Sequence, residues 1–245
     1  VDAMRLVDRT ITPVAVGALG DWSKKMLSDC SDRMTLISEH VYWQAKDDLL
    51  EHVRQAPASI RKIAEAHRAY RKELPSLKGK DIRVALDEWN YWYGGNEYGE
   101  LGTRYFLQDA LGIAAGLHEM FRQSDIFAMA NYAQTVNVIG AIKTTATAAE
   151  MEPTGLVLSL YRKHYGVTPL AVSGEQASLD VAAARTADLP QGLRRWSGNS
   201  RGRRAVDAGV RRSGARCATG SSDGRLLPGI GQGGRCGAIG GWASG

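Results

Sequence analysis

Cysteine is scarce in this 245-residue sequence. Cys30, Cys217 and Cys236 are too few and too scattered for a disulfide scaffold, and no Cys-x-x-Cys or histidine cluster has the spacing of a metal site. No run of 18 apolar residues occurs, so no segment reads as a membrane-spanning helix. A glycine-rich phosphate loop is missing as well: Gly17-Ala18-Leu19-Gly20 does not match G-x-G-x-x-G. The opening Val1-Asp2-Ala3-Met4-Arg5 has neither an initiator methionine nor a signal-peptide pattern, and reads as the inside of a longer protein.

The net charge of +5 hints at nucleic acid, but its distribution argues otherwise. Residues 191–245 hold ten Arg, no Lys and two Asp, a balance of +8, which leaves −3 for the rest. After Thr186 lysine, tyrosine and phenylalanine vanish and the text becomes Arg, Gly, Ala and Ser. Such a stretch buries too little apolar surface to offset chain entropy, so a disordered basic tail is expected over 187–245. The abrupt switch resembles a reading-frame change near Thr186–Leu189.

What is present upstream is an α/β alternation. Short apolar runs at 11–17, 34–42, 82–88 and 126–132 read as buried strands, the last running on through 133–139. Helices are expected over 1–7, 22–30 with Asp21 as N-cap, 47–74, 103–122 and 155–165. Pro57 should divide the long one in two. The alternation suits either a (β/α)8 barrel or an open doubly wound sheet. Three successive strands deliver polar groups at their carboxyl ends: Ser38/His40/Tyr42, Glu88/Asn90/Trp92 and Asn131/Gln134. That is the barrel's habit.

The stretch 84–94, Val-Ala-Leu-Asp-Glu-Trp-Asn-Tyr-Trp-Tyr-Gly, is the richest in chemistry. A buried, unpaired carboxylate is costly in a core strand, whereas a sugar-cleaving site uses one as nucleophile, with polar groups for hydroxyls and aromatic faces for the ring. Read alone, Asp87-Glu88 could equally start a solvated loop, with the aromatics as packing.

Together with Ala3-Met4-Arg5, Val7-Asp8, 14–17, Ser38-Glu39-His40-Val41-Tyr42 and 133–139, this stretch resembles the α-L-arabinofuranosidases of glycoside hydrolase family 51. The segment 158–170, with Tyr161, His164 and Tyr165, is similar to the one that family carries after its last barrel strand. The resemblance covers roughly 1–184. It implies the second half (strands five to eight) of a (β/α)8 barrel over 1–168, the start of a truncated β-sandwich over 169–186, and the tail over 187–245. It implies a retaining enzyme that releases terminal α-L-arabinofuranosyl residues from arabinose-containing oligo- or polysaccharides. Glu88 would be the nucleophile, Tyr42 its hydrogen-bond partner, Trp92 and Gln134 sugar-binding groups, and His40 and Asn90 supports. No metal or organic cofactor, nucleic acid or membrane is implied. A homo-oligomer, in the cytoplasm rather than secreted, is.

One departure matters. The family's acid/base glutamate follows an asparagine at the end of the fourth strand, upstream of Val1. Asn96-Glu97 has the right letters in the wrong loop. The chain is therefore expected to be inactive alone. The alternatives are another retaining glycosidase of the same barrel clan, or a non-catalytic binding protein with a nucleic-acid-binding tail.

Overall fold

The computed structural model describes residues 1–94, 99, 102–174 and 179–187. The chain divides into two units, Val1–Asn199 and Ser200–Gly245. The second unit, the expected basic tail with its reading-frame change at 188 and beyond, and Asn96-Glu97 all lie outside the described residues.

In the first unit α1 (Asp2–Val7) leads to β1 (Val14–Ala15), α2 (Asp21–Cys30), β2 (Leu36–Trp43), α3 (Leu49–Glu73), a 3₁₀ turn at Pro75–Leu77, β3 (Arg83–Tyr91), α4 (Leu107–Arg122) and β4 (Phe127–Tyr132). The four strands form one parallel sheet in the order β1-β2-β3-β4. A doubly wound sheet reverses its strand order at a switch point; these strands do not. The antiparallel pair β5 (Ile142–Thr144) and β6 (Ala149–Met151) follows, then α5 (Pro153–His164). Part of the segment expected to open a second domain forms β8 (Ala183–Arg185), which pairs antiparallel with β7 (Thr168–Leu170).

Several local expectations fail, among them the strand expected to run on through 133–139, which ends at Tyr132. Pro57 sits inside α3 without dividing it. One face of that helix is sealed by His52, Ala56, Ile60, Ile63, Ala64, His67 and Tyr70, and this tertiary burial outweighs the proline's local cost of about 3 kcal/mol. Asp21 is the first residue of α2 rather than its cap; Gly20, at φ 117°, takes the capping position. The fourth helix also starts later than expected, at Leu107.

The core lies between the sheet and the helices. Ile37, Trp43, Val84, Leu86, Trp89 and Tyr91 meet Leu27, Ile60, Ile63 and Ile113 there. Two glycines permit close approaches. A Cβ on Gly17, just past β1, would stand 1.9 Å from the Ser38 carbonyl oxygen, and one on Gly112 would stand 1.9 Å from the Tyr91 hydroxyl. The α3–α4 pairing is locked at its N-terminal end by a hydrogen bond between two side chains that are both 0% exposed: His52 Nε2 lies 3.0 Å from Asp109 Oδ1. His52 Nδ1 accepts from the Lys46 amide at 3.2 Å, so the ring carries its proton on Nε2 and donates it to Asp109. Asp109 also caps α4 through the Phe106 amide, 2.6 Å away. Burial raises the Asp109 pKa, while that amide and His52 pull it back.

Candidate active site

Side chains alternate across a strand, so Asp87 and Glu88 should face opposite ways. They do not, because β3 is bulged. Glu39 on β2 pairs with Leu86, but the next residue, His40, pairs with Glu88. Asp87 is the extra residue. The ladder to β4 breaks in the same place, between Leu86 and Trp89. Bulges re-aim side chains in this way beside active sites. Both carboxylates consequently line one cleft of about 480 Å³, together with Tyr42, Trp92, Tyr132, Ala133, Gln134, Thr135, Val138 and Ile139.

Within the cleft the Tyr42 hydroxyl donates to Glu88 Oε2 at 2.8 Å. Burial first, then this bond and the carboxylate's charge, push the Tyr42 pKa far above its ordinary 10. Tyr42 is therefore a neutral donor around neutral pH. His40 bridges the pair of acids, with Nε2 3.0 Å from Asp87 Oδ1 and Nδ1 3.5 Å from Glu88 Oε2. Asp87 Oδ1 has no aligned hydrogen bond among the described residues, the His40 contact included. Trp92 packs edge-on to Tyr42, with ring centroids 5.4 Å apart. Glu88 keeps 48% of its side chain exposed, as a group awaiting a reactant would.

Gln134 follows β4 and forms the other wall, its Nε2 donating to the Val136 carbonyl at 3.0 Å. Tyr132, at the strand's end, donates to Thr154 Oγ1 at 2.9 Å, and burial pushes its pKa up to about 12. Asn90 is fully buried, so it cannot touch a ligand in the cleft; it works on the backbone around it. Among the described residues no cluster of three or more His, Cys, Asp or Glu side chains could hold a metal, and no helix is long and apolar enough to cross a membrane.

Residues 87–222 match the family described as the α-L-arabinofuranosidase C-terminal domain, over more than half of the chain. The chain belongs to the α-L-arabinofuranosidases. It is 30% identical over 166 residues to the intracellular exo-α-(1→5)-L-arabinofuranosidase of Halalkalibacterium halodurans, covering 58% of this chain and 32% of that one. Among solved structures it is similar to the Thermotoga maritima α-L-arabinofuranosidase arabinose complex, with a TM-score of 0.61 and 28% identity over 69% of this chain and 34% of that one. The family 51 α-L-arabinofuranosidase of Thermotoga petrophila gives 0.60 and 27% over the same shares. The chain spans about a third of the length of the curated relatives it matches.

All six residues that the sequence singles out sit at or directly behind this one cleft, four of them in its wall. Asp87 and Tyr132 are not among them. Alternation assigns Asp87 to the far face, and only the bulge, invisible in the letters, brings it round. Tyr132 reads as the last core residue of a strand, which by packing it also is: its ring meets Trp89 edge-on at 5.5 Å.

Proposed function

We propose that this chain carries the nucleophile half of a retaining α-L-arabinofuranosidase, with Glu88 as the nucleophile. The reading rests above all on Glu88, aimed by a bulge into a cleft walled by Trp92 and Gln134 and held there by the Tyr42 hydroxyl at 2.8 Å. Glu88 attacks the anomeric carbon, the bond to the leaving oxygen breaks, and that oxygen takes a proton from a second carboxylic acid. Water then hydrolyses the arabinosyl ester with retained configuration. With Tyr42 engaging Oε2, Oε1 is the attacking atom. Trp92 supports the furanose ring and Gln134 takes its hydroxyls, while His40, between Asp87 and Glu88, supports the pair.

In this reading the four parallel strands are the fifth to eighth of a (β/α)8 barrel over 1–168, and 169–186 opens a β-domain. The second carboxyl, which must stand about 5–5.5 Å from the nucleophile, belongs to an earlier barrel strand of the complete protein. The substrate is a terminal arabinofuranosyl group of an oligo- or polysaccharide. The test is covalent trapping: the complete protein is incubated with a 2-fluoro-arabinofuranosyl donor bearing a good leaving group, digested, and analysed by mass spectrometry. A label on the peptide containing Glu88, lost in Glu88→Gln, is expected. A label elsewhere, or none on an active enzyme, rejects the assignment.

A further inference from the structure

The loop after β4 carries Gln134 into the cleft, and local bonds such as Ala141 N–H to the Gln134 carbonyl at 3.0 Å are only part of what holds it there. Asn137 and Val138 both have positive φ, 56° and 47°, a region that a β-branched residue such as valine scarcely enters unless its surroundings impose it. The surroundings here are specific. The Asn90 side-chain amide lies 2.6 Å from the Ala133 carbonyl, 2.7 Å from the Ile139 carbonyl and 2.8 Å from the Tyr105 hydroxyl. Asn90 Oδ1 accepts from the Tyr91 amide at 2.7 Å. Tyr105 Oη is in turn within donating distance of the Tyr91 and Ile139 carbonyls, at 2.8 and 3.0 Å. The Thr103 amide and Lys143 Nζ each donate to the Val138 carbonyl at 2.8 Å.

We infer that Asn90 and Tyr105 are positioning residues that fix the Gln134 wall of the cleft relative to Glu88, and so set how the sugar is held. Only Trp89 separates Glu88 from Asn90 along β3. The strand that aims the nucleophile therefore also clamps both ends of the opposing loop: Ala133, directly before Gln134, and Ile139. Both clamped residues line the cleft. Asn90 is 0% and Tyr105 4% exposed, so neither reaches a ligand. Their effect passes through the backbone they hold. Two amide protons on Asn90 serve three oxygens, a complete network whose interruption strands buried carbonyls.

The inference rests on Gln134 being a sugar-binding group, and two readouts keep the two ideas apart. The first needs no sugar. Amide exchange at Ala141 and Ile142, which donate to the Gln134 and Thr135 carbonyls at 3.0 Å each, is followed in the 245-residue chain. It should accelerate at least about fivefold in Tyr105→Phe and more in Asn90→Ala, with the β2–β3 ladder unchanged. Unchanged loop exchange in Tyr105→Phe overturns the inference even if Asn90→Ala fails to fold. The second is a double-mutant cycle on the Kd for an arabinofuranosyl oligosaccharide, read from tryptophan fluorescence. Gln134→Ala and Tyr105→Phe should each weaken binding, and the double variant no more than Gln134→Ala alone. Additive losses would mean that Tyr105 does not act through Gln134, and would overturn its positioning role. The cycle is run in the complete protein, and a complete wild-type protein that binds no arabinofuranoside overturns the sugar reading and the binding part of this inference with it, while the exchange data still decide whether the clamp holds the loop.

Discussion

At the scale of single residues, the site depends on one short contact. Tyr42 donates to Glu88 at 2.8 Å, and its raised pKa keeps the hydroxyl a neutral donor around neutral pH. Hydrogen bonds to charged groups contribute about 1.5–3 kcal/mol, so Tyr42→Phe in the complete enzyme should lower kcat/KM roughly 10- to 100-fold, with the unfolding midpoint little changed. Steady-state kinetics beside a denaturant titration checks both halves. Glu88→Gln should remove turnover altogether. Glu88, Tyr42, Trp92 and Gln134 are legible in the sequence because polar and aromatic letters at strand ends are unusual and the Asp-Glu-Trp-Asn string is distinctive. Asp87 is not. Its place in the cleft depends on a register shift between two strands far apart in sequence, where Glu39 pairs with Leu86 but His40 with Glu88.

At the scale of elements, two helices carry a testable cost. Pro57 supplies no amide to the Val53 carbonyl, yet α3 runs through it from Leu49 to Glu73. Pro57→Ala should restore that bond. Against the gain of about 3 kcal/mol in helix propensity stands the lost stiffness of the unfolded chain, about 1 kcal/mol, so a net stabilisation of roughly 2 kcal/mol is expected. Urea unfolding would measure it. Gly112→Ala should do the opposite, because its Cβ would stand 1.9 Å from the Tyr91 hydroxyl and Tyr91 is fixed by its bond to the His52 carbonyl at 2.8 Å. A loss of about 1–3 kcal/mol is expected for such overpacking. The periodicity announces every main strand and helix, since apolar spacing reports burial. It misjudges Pro57, because the burial of seven residues on one helix face is decided by tertiary partners that local rules do not see.

At the scale of the whole molecule, acid should act through Glu119. Its side chain is 1% exposed, and burial alone would raise its pKa. Bonds from Arg61 at 3.0 and 2.9 Å, Gln123 at 2.7 Å and Arg122 at 3.1 Å outweigh burial and lower it below the ordinary 4.5. A lowered carboxylate pKa stabilises the fold fully above the unfolded value, and that contribution is lost as pH falls through the folded one. Stability should therefore decline below about pH 4.5, with a shallower decline in Glu119→Gln; unfolding curves between pH 3 and 7 test this. Activity follows a different constraint. The 245-residue chain is about a third of the length of the relatives it matches, and on the proposed reading it carries the nucleophile without the second carboxyl, so alone it should turn over aryl arabinofuranosides at background rate.

The bulge in β3 works as a ruler. Were the strand to slip by one residue, Asp87 would take the place beneath Tyr42. An aspartate falls short of a glutamate by one carbon–carbon bond, about 1.5 Å, so the hydroxyl would close on nothing and, on the proposed reading, the attacking oxygen would stop short of the sugar. Elsewhere in a packed sheet such a slip costs burial, because it turns core side chains to the other face. Here a single inserted residue converts strand register into chemical reach, so the molecule's tolerance for insertions and deletions should be at its lowest between Leu86 and Trp89.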